Sequence, residues 1–163
     1  MTRDSSGIGL KLPPMNSIEP PAHASIETAW TLVFGAWLVA SISALGALFL
    51  SEVMRVPPCV LCWYQRICMF PLVLMLPVGL FPFDRKVIRY ALPLAVIGLV
   101  LAIFHLLLIA GVIPESIRPC TQGIPCSEKT VEWFGFVTVP MLSALAFSTI
   151  IALLLAAHFR SSR

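Results

Sequence analysis

Four stretches of this chain contain no Asp, Glu, Lys or Arg: residues 28–51, 67–83, 90–114 and 133–159. Each reaches or approaches the ~20 residues a helix needs to cross ~30 Å of hydrocarbon. The shortest, 67–83, extends backward through Trp63, Tyr64 and Gln65, interrupted only by Arg66. A segment inside a bilayer must satisfy its own backbone N–H and C=O groups, which a single helix does and a single strand does not. The pattern predicts an all-α membrane protein, a four-helix transmembrane bundle with short outer loops. Composition agrees, because only 12% of the 163 residues are charged against roughly a quarter in a soluble domain.

Charge then orients the bundle. Residues 1–25 are polar, carry Pro13, Pro14, Pro20 and Pro21, and lack the apolar region and cleavage site of a secretory signal. They are expected to form a disordered cytoplasmic tail, followed by a transmembrane domain over 26–159 and a cytoplasmic C-terminal tail over 160–163. Of eleven Lys and Arg residues, seven lie in the N-terminal tail (Arg3, Lys11), the middle loop (Arg85, Lys86, Arg89) and the C-terminal tail (Arg160, Arg163). Positive loops stay cytoplasmic, so both termini and the 84–89 loop are expected inside. Two cysteine-bearing loops then face out, on the side where disulfides persist.

Helix one has Ala36, Ala40 and Ala44 one turn apart, a small-residue face of the kind that lets membrane helices pack closely. Pro71, Pro77, Pro93 and Pro140 lie in apolar segments and are expected to kink them, with neighbouring groups taking up the freed carbonyls. Trp30, Trp63, Tyr64, Tyr90 and Trp133 fall near the expected membrane edges, as interfacial aromatic residues do. There is no internal repeat, Gly-rich phosphate loop, HExxH metal helix or basic nucleic-acid face. Loops 52–58 and 115–132 are too short to build a core. Chemistry must therefore occur at the membrane face, and a large substrate must bring its own folded domain.

The cysteines carry that chemistry. Cys59 and Cys62 form a CxxC directly after Pro57-Pro58. The prolines block helix before Cys59, which places it at the N-terminus of helix two. There the unsatisfied N–H groups and the helix dipole stabilise a thiolate, and a CxxC ring that closes and reopens suits redox cycling. Cys120 and Cys126 lie in a bent loop with Pro119, Gly123 and Pro125. Closing so small a ring adds little stability, so an exchanging disulfide is expected there as well. Static clips, or zinc bound by the cysteines, remain the competing readings. Cys68 sits six residues beyond Cys62 and reads as a packing residue.

Arg66 lies four residues after Cys62, on the same helical face and one turn deeper. An arginine within an apolar segment is expensive and signals function; it would stabilise a Cys62 thiolate or hold an oxygen-bearing electron acceptor. Snorkelling to the interface is the simpler reading. His105, alone in helix three, is either a hydrogen-bonded packing residue or a proton carrier at the acceptor. His23 and His158 read as tail or interface residues.

Taken together, Pro58-Cys59-Val60-Leu61-Cys62-Trp63-Tyr64-Gln65-Arg66, the Cys120/Cys126 loop and Trp133-Phe134-Gly135-Phe136 opening helix four resemble the disulfide bond formation protein B (DsbB) family of bacterial membrane oxidases. The resemblance covers roughly Trp30 to Leu155 and is closest to relatives with a compact second loop, since only five residues separate Cys120 from Cys126. It implies a multi-pass protein of the bacterial inner membrane that passes electrons from a soluble thioredoxin-fold (DsbA-like) dithiol oxidase to the quinone pool, ubiquinone or menaquinone. It further implies that Cys120 forms the mixed disulfide, that Cys126 exchanges with Cys59, and that Cys62 faces the quinone beside Arg66; His105, on its own chemistry, is counted with Cys62 and Arg66 as a candidate quinone-binding residue. No metal and no nucleic acid are expected. The alternative is a membrane scaffold or transporter subunit with static disulfides.

Overall fold

A computed structural model describes residues 22–55, 57–113, 132–133 and 137–161. Four long helices account for most of them: α1, Ala22–Leu48; α2, Val60–Leu80; α3, Lys86–Ile109; and α4, Val139–Ser161. All four are long and apolar enough to cross a membrane, so the all-α, four-helix reading stands. Each helix packs on its sequence neighbours, and α4 closes the ring against α1.

Packing follows the small residues. Ala29, Val33, Ala36, Ala40 and Ala44, spaced three or four apart on α1, are all buried in one core with Phe147, Ile150, Leu154 and Ala157 of α4. Lipid tails are as apolar as leucine, so close backbone approach and van der Waals packing replace the hydrophobic drive of a soluble core. Gly98 of α3 shows how close: a Cβ there would collide with the ring of the fully buried Phe147.

One interior proline, Pro77, is accommodated by a neighbour. Pro77 has no N–H for the carbonyl of Val73 four residues earlier. Across the helix pair, Trp37 Nε1–H donates to that Val73 oxygen at 3.1 Å. Asp84 ends the α2–α3 turn, its N–H donating to Gly79 O at 2.8 Å while its Oδ1 accepts from the Lys86 N–H at 2.9 Å.

Two elements differ from the sequence expectation. Helix four does not open at Trp133-Phe134-Gly135-Phe136; it starts at Val139, after a two-residue antiparallel ladder pairing Glu132 with Thr138 and Trp133 with Val137. Pro140, the second residue of α4, fits a start here, because a proline deeper inside a helix would leave the bond of its missing N–H unmade. In the first turn that N–H would be unpaired anyway, so Pro140 starts α4 and does not kink it. Second, α1 ends in a π-helical turn, Phe49–Val53. Such turns are rare and concentrate at functional sites.

Candidate redox site

Cys59 is the N-cap of α2, in the extended conformation usual for an N-cap (φ −68°, ψ 166°). Its Sγ accepts from the Cys62 backbone N–H at 3.4 Å and lies 2.9 Å from the Cys62 Sγ. From α3, His105 brings its Nε2 to 3.8 Å from the same sulfur, and its Nδ1 lies 3.3 Å from Gln65 Nε2. Gln65 and His105 are both buried. Leu61 and Leu108 pack with Cys59 and shield it from solvent.

Donors thus converge on Cys59. The hydrogen bond from the Cys62 thiol is the largest influence and holds the Cys59 thiol down to about 4, against the opposing pull of burial and with help from His105. Of the two sulfurs, Cys59 is the one these contacts favour as a thiolate. The sulfurs and Nε2 also lie within 4.8 Å of one another. Two thiolates on a tetrahedral zinc, at ~2.3 Å each, sit ~3.7 Å apart. A metal-bound histidine, moreover, donates its second N–H to an acceptor. The sulfurs here lie closer, at 2.9 Å, and an amide donor faces Nδ1.

Arg66 turns toward α1. Its Nη2 donates to Ala47 O at 2.7 Å and its Nη1 to Ser51 Oγ at 3.2 Å, with the guanidinium 5.6 Å from the centroid of the Trp63 ring. Ser51, in the π-helical turn, donates in turn to the Ala47 and Leu48 carbonyls. Among the described residues no carboxylate pairs with Arg66. Its positive charge is held by neutral oxygens and an aromatic face, with donors to spare.

A cavity of about 490 Å³ joins these groups. Cys59, Cys62, Gln65, Arg66 and His105 are among its polar lining; Ile42 of α1, Phe49 of the π-helical turn, and Leu142 and Phe147 of α4 are among the apolar. The structure thus brings Cys59, Cys62, Arg66 and His105 to one cavity. Cys120 and Cys126 lie outside the described residues. Sequence reasoning missed Gln65 and Ser51 as parts of the site. The available signal for Gln65 was a buried-type amide one residue from Arg66 in an otherwise apolar helix, whereas Ser51 gave none.

The sequence model of the family described as "Disulfide bond formation protein DsbB" matches residues 27–157. The chain belongs to the DsbB family. Among its relatives, "Disulfide bond formation protein C" of Bacillus subtilis (strain 168) is 46% identical over 121 residues, covering 73% of this chain and 86% of the relative. A "Probable disulfide formation protein" of Metapseudomonas resinovorans is 49% identical over 134 residues, covering 82% and 93%. One of the same name from Coxiella burnetii (strain CbuK_Q154) is 44% identical over 117 residues, covering 70% and 78%. No solved structure matches the chain. As a DsbB-family protein with four membrane-spanning helices, this is a multi-pass membrane oxidoreductase of disulfide bond formation.

Proposed function

We propose that this protein is a thiol:quinone oxidoreductase that reoxidises a soluble, extracytoplasmic thioredoxin-fold dithiol oxidase of the DsbA-like kind. One observation carries the reading: the Cys59/Cys62 pair borders a largely apolar cavity whose other polar groups include Gln65, Arg66 and His105. Its volume falls within the ~300–1,000 Å³ of small-molecule sites. An apolar wall with a few convergent donors fits a ring bearing two carbonyl oxygens and a greasy tail. A quinone, ubiquinone or menaquinone, supplies the capacity to accept the two electrons and two protons released when the dithiol closes to a disulfide.

The chain's own residues set the direction of exchange. A thiolate is the attacking form in disulfide exchange, and donors from Cys62 and His105 keep Cys59 in that form. Attack by Cys126 on Cys59 of the oxidised pair breaks the Cys59–Cys62 bond and frees Cys62 to face the acceptor beside Arg66; once the pair is fully reduced, Cys59 is the sulfur these donors favour as thiolate. Arg66, fixed by Ala47 and Ser51, provides positive charge where negative charge develops on an acceptor oxygen. Cys120 and Cys126 would take electrons from the partner, Cys120 through a mixed disulfide, and Cys126 would pass them to Cys59. The setting proposed is the bacterial inner membrane, both termini cytoplasmic and the cysteine loops outside.

The test is direct. The detergent-purified protein is mixed with a reduced thioredoxin-fold oxidase and a soluble ubiquinone or menaquinone analogue, and quinone absorbance is followed. Catalytic quinone loss that disappears in Cys59→Ser is the expected result. Disulfides that stay intact in the presence of the donor, with no quinone consumed, would return the protein to a structural role.

A further inference from the structure

We infer that Gln65 is a positioning residue for the redox pair: its side-chain amide, donating to Nδ1 of His105, holds the imidazole with its Nε2–H directed at Cys59 Sγ. The inference rests on the redox reading of Cys59 and Cys62 and is independent of the acceptor's identity.

Three observations converge. Gln65 Nε2 and His105 Nδ1 are 3.3 Å apart, and His105 Nε2 and Cys59 Sγ 3.8 Å apart, so one ring bridges α2 to itself through α3. Both Gln65 and His105 are buried, at 7% and 3% exposure, where an unpaired polar atom costs ~1–3 kcal/mol. Finally, the two ring nitrogens of a neutral histidine cannot play the same part: one is a donor and the other an acceptor.

A thiolate at Nε2 needs the proton there, which leaves a lone pair at Nδ1 that only a donor can satisfy. The NH₂ of an amide is such a donor; a carboxylate in its place would accept, drawing the ring proton to Nδ1 and turning a lone pair toward the thiolate. Gln65 is therefore matched to a neutral histidine that serves Cys59.

The other groups around Cys59 do not duplicate this. Cys62 and Arg66 are the titratable and charged groups of α2 on the cavity, and His105 is that of α3. The described cavity-lining residues of α1 and its π-helical turn, such as Ser43 and Leu50, and of α4, such as Pro140 and Ser143, carry no charge. Cys62 and the helix N-terminus stabilise the thiolate independently of His105, so loss of the bridge weakens the effect and does not remove it.

The experiment uses the reduced full-length protein in detergent, with no partner and no acceptor present, so its result is separate from any quinone assay. The rate of iodoacetamide alkylation at Cys59, resolved by mass spectrometry, is measured against pH. With the Cys59 thiol held to about 4, the wild-type rate should be flat above roughly pH 5 and fall only below it. Gln65→Met, which keeps the volume and removes the amide, should raise the midpoint by about one pH unit. His105→Ala should do the same, and the double variant should shift no further, since Gln65 acts through His105. An unmoved midpoint in Gln65→Met, or additive shifts in the double variant, would overturn the assignment. Nitrogen-15 NMR of histidine-labelled wild type reads the tautomer without any substitution: a proton on Nε2 of His105 is expected, and a proton on Nδ1 alone would overturn the proposal even if the variants failed to fold.

Discussion

The two ends of the bundle are built on opposite principles. At the cysteine end, side chains of three helices meet through hydrogen bonds: Gln65 to His105, His105 to Cys59, and Arg66 to Ala47 and Ser51. A cavity of about 490 Å³ lies among them. At the other end, contacts are made by shape. Trp30 stacks on Phe34 with centroids 5.2 Å apart and meets Phe81 edge-on at 6.3 Å, while Gly79 lies so close to Val87 that no Cβ fits. Polar groups in hydrocarbon are expensive and persist where they do something. Packing of small and aromatic residues holds helices together at lower cost. The chain keeps stability at one end and chemistry at the other.

The largest effect that tests this division is Cys62→Ser. It should bring turnover down to the uncatalysed level, while Cys120 still traps a partner as a mixed disulfide that gel mobility detects. Quinone reduction at the wild-type rate in that variant would move the donor to the acceptor away from Cys62. Arg66→Met comes next. A hydrogen bond from a charged donor contributes about 1.5–3 kcal/mol, so KM for quinone should rise tenfold or more, with a smaller change in KM for the protein substrate. The reverse ranking would place Arg66 outside the acceptor site.

Two glycines then compare the ends directly. Gly79→Ala drives a methyl into Val87, and Gly98→Ala drives one into the Phe147 ring. Overpacking of this kind costs about 1–3 kcal/mol, so both variants should melt earlier in detergent by a few degrees. Phe147 also lines the cavity, and Gly98→Ala should in addition raise KM for quinone. Gly79→Ala should leave that KM alone; if it did not, the two ends would be coupled.

Much of this division was legible in the sequence, for identifiable reasons. Charge-free runs marked the spans, because a bilayer tolerates few ions. Pro57-Pro58 fixed the start of α2 and so the N-cap position of Cys59, and the spacing of Ala36, Ala40 and Ala44 marked the buried stripe of α1. The meeting of His105 with Cys59 was not legible. They are 46 residues apart, and helices that are apolar all round give no periodicity to say which face looks inward. Gln65 was hidden for the same reason. Its role depends on the register of α2 against α3, which lies in packing and not in local pattern. The late start of α4 was legible in principle, since Pro140 was in view, but the unbroken apolar run from 133 outweighed it. Nothing local marks the π-helical turn that carries Ser51.

The smallest effect concerns the one described cysteine outside the redox pair. Cys68 lies between the two ends, 5% exposed, in the same core as Leu72 and Ala36. Six residues past Cys62, it points away from the cavity and is absent from its lining. Burial in apolar surroundings keeps such a thiol inert. Cys68→Ala removes one sulfur's worth of packing, at a cost of about 1 kcal/mol or less, seen as a small drop in melting temperature. Quinone reduction and mixed-disulfide trapping should both stay at wild-type rates. A loss in either assay would mean that thiol exchange reaches a turn and a half deeper into the bundle than the Cys59/Cys62 pair, and the boundary between the working end and the packed end would have to be redrawn.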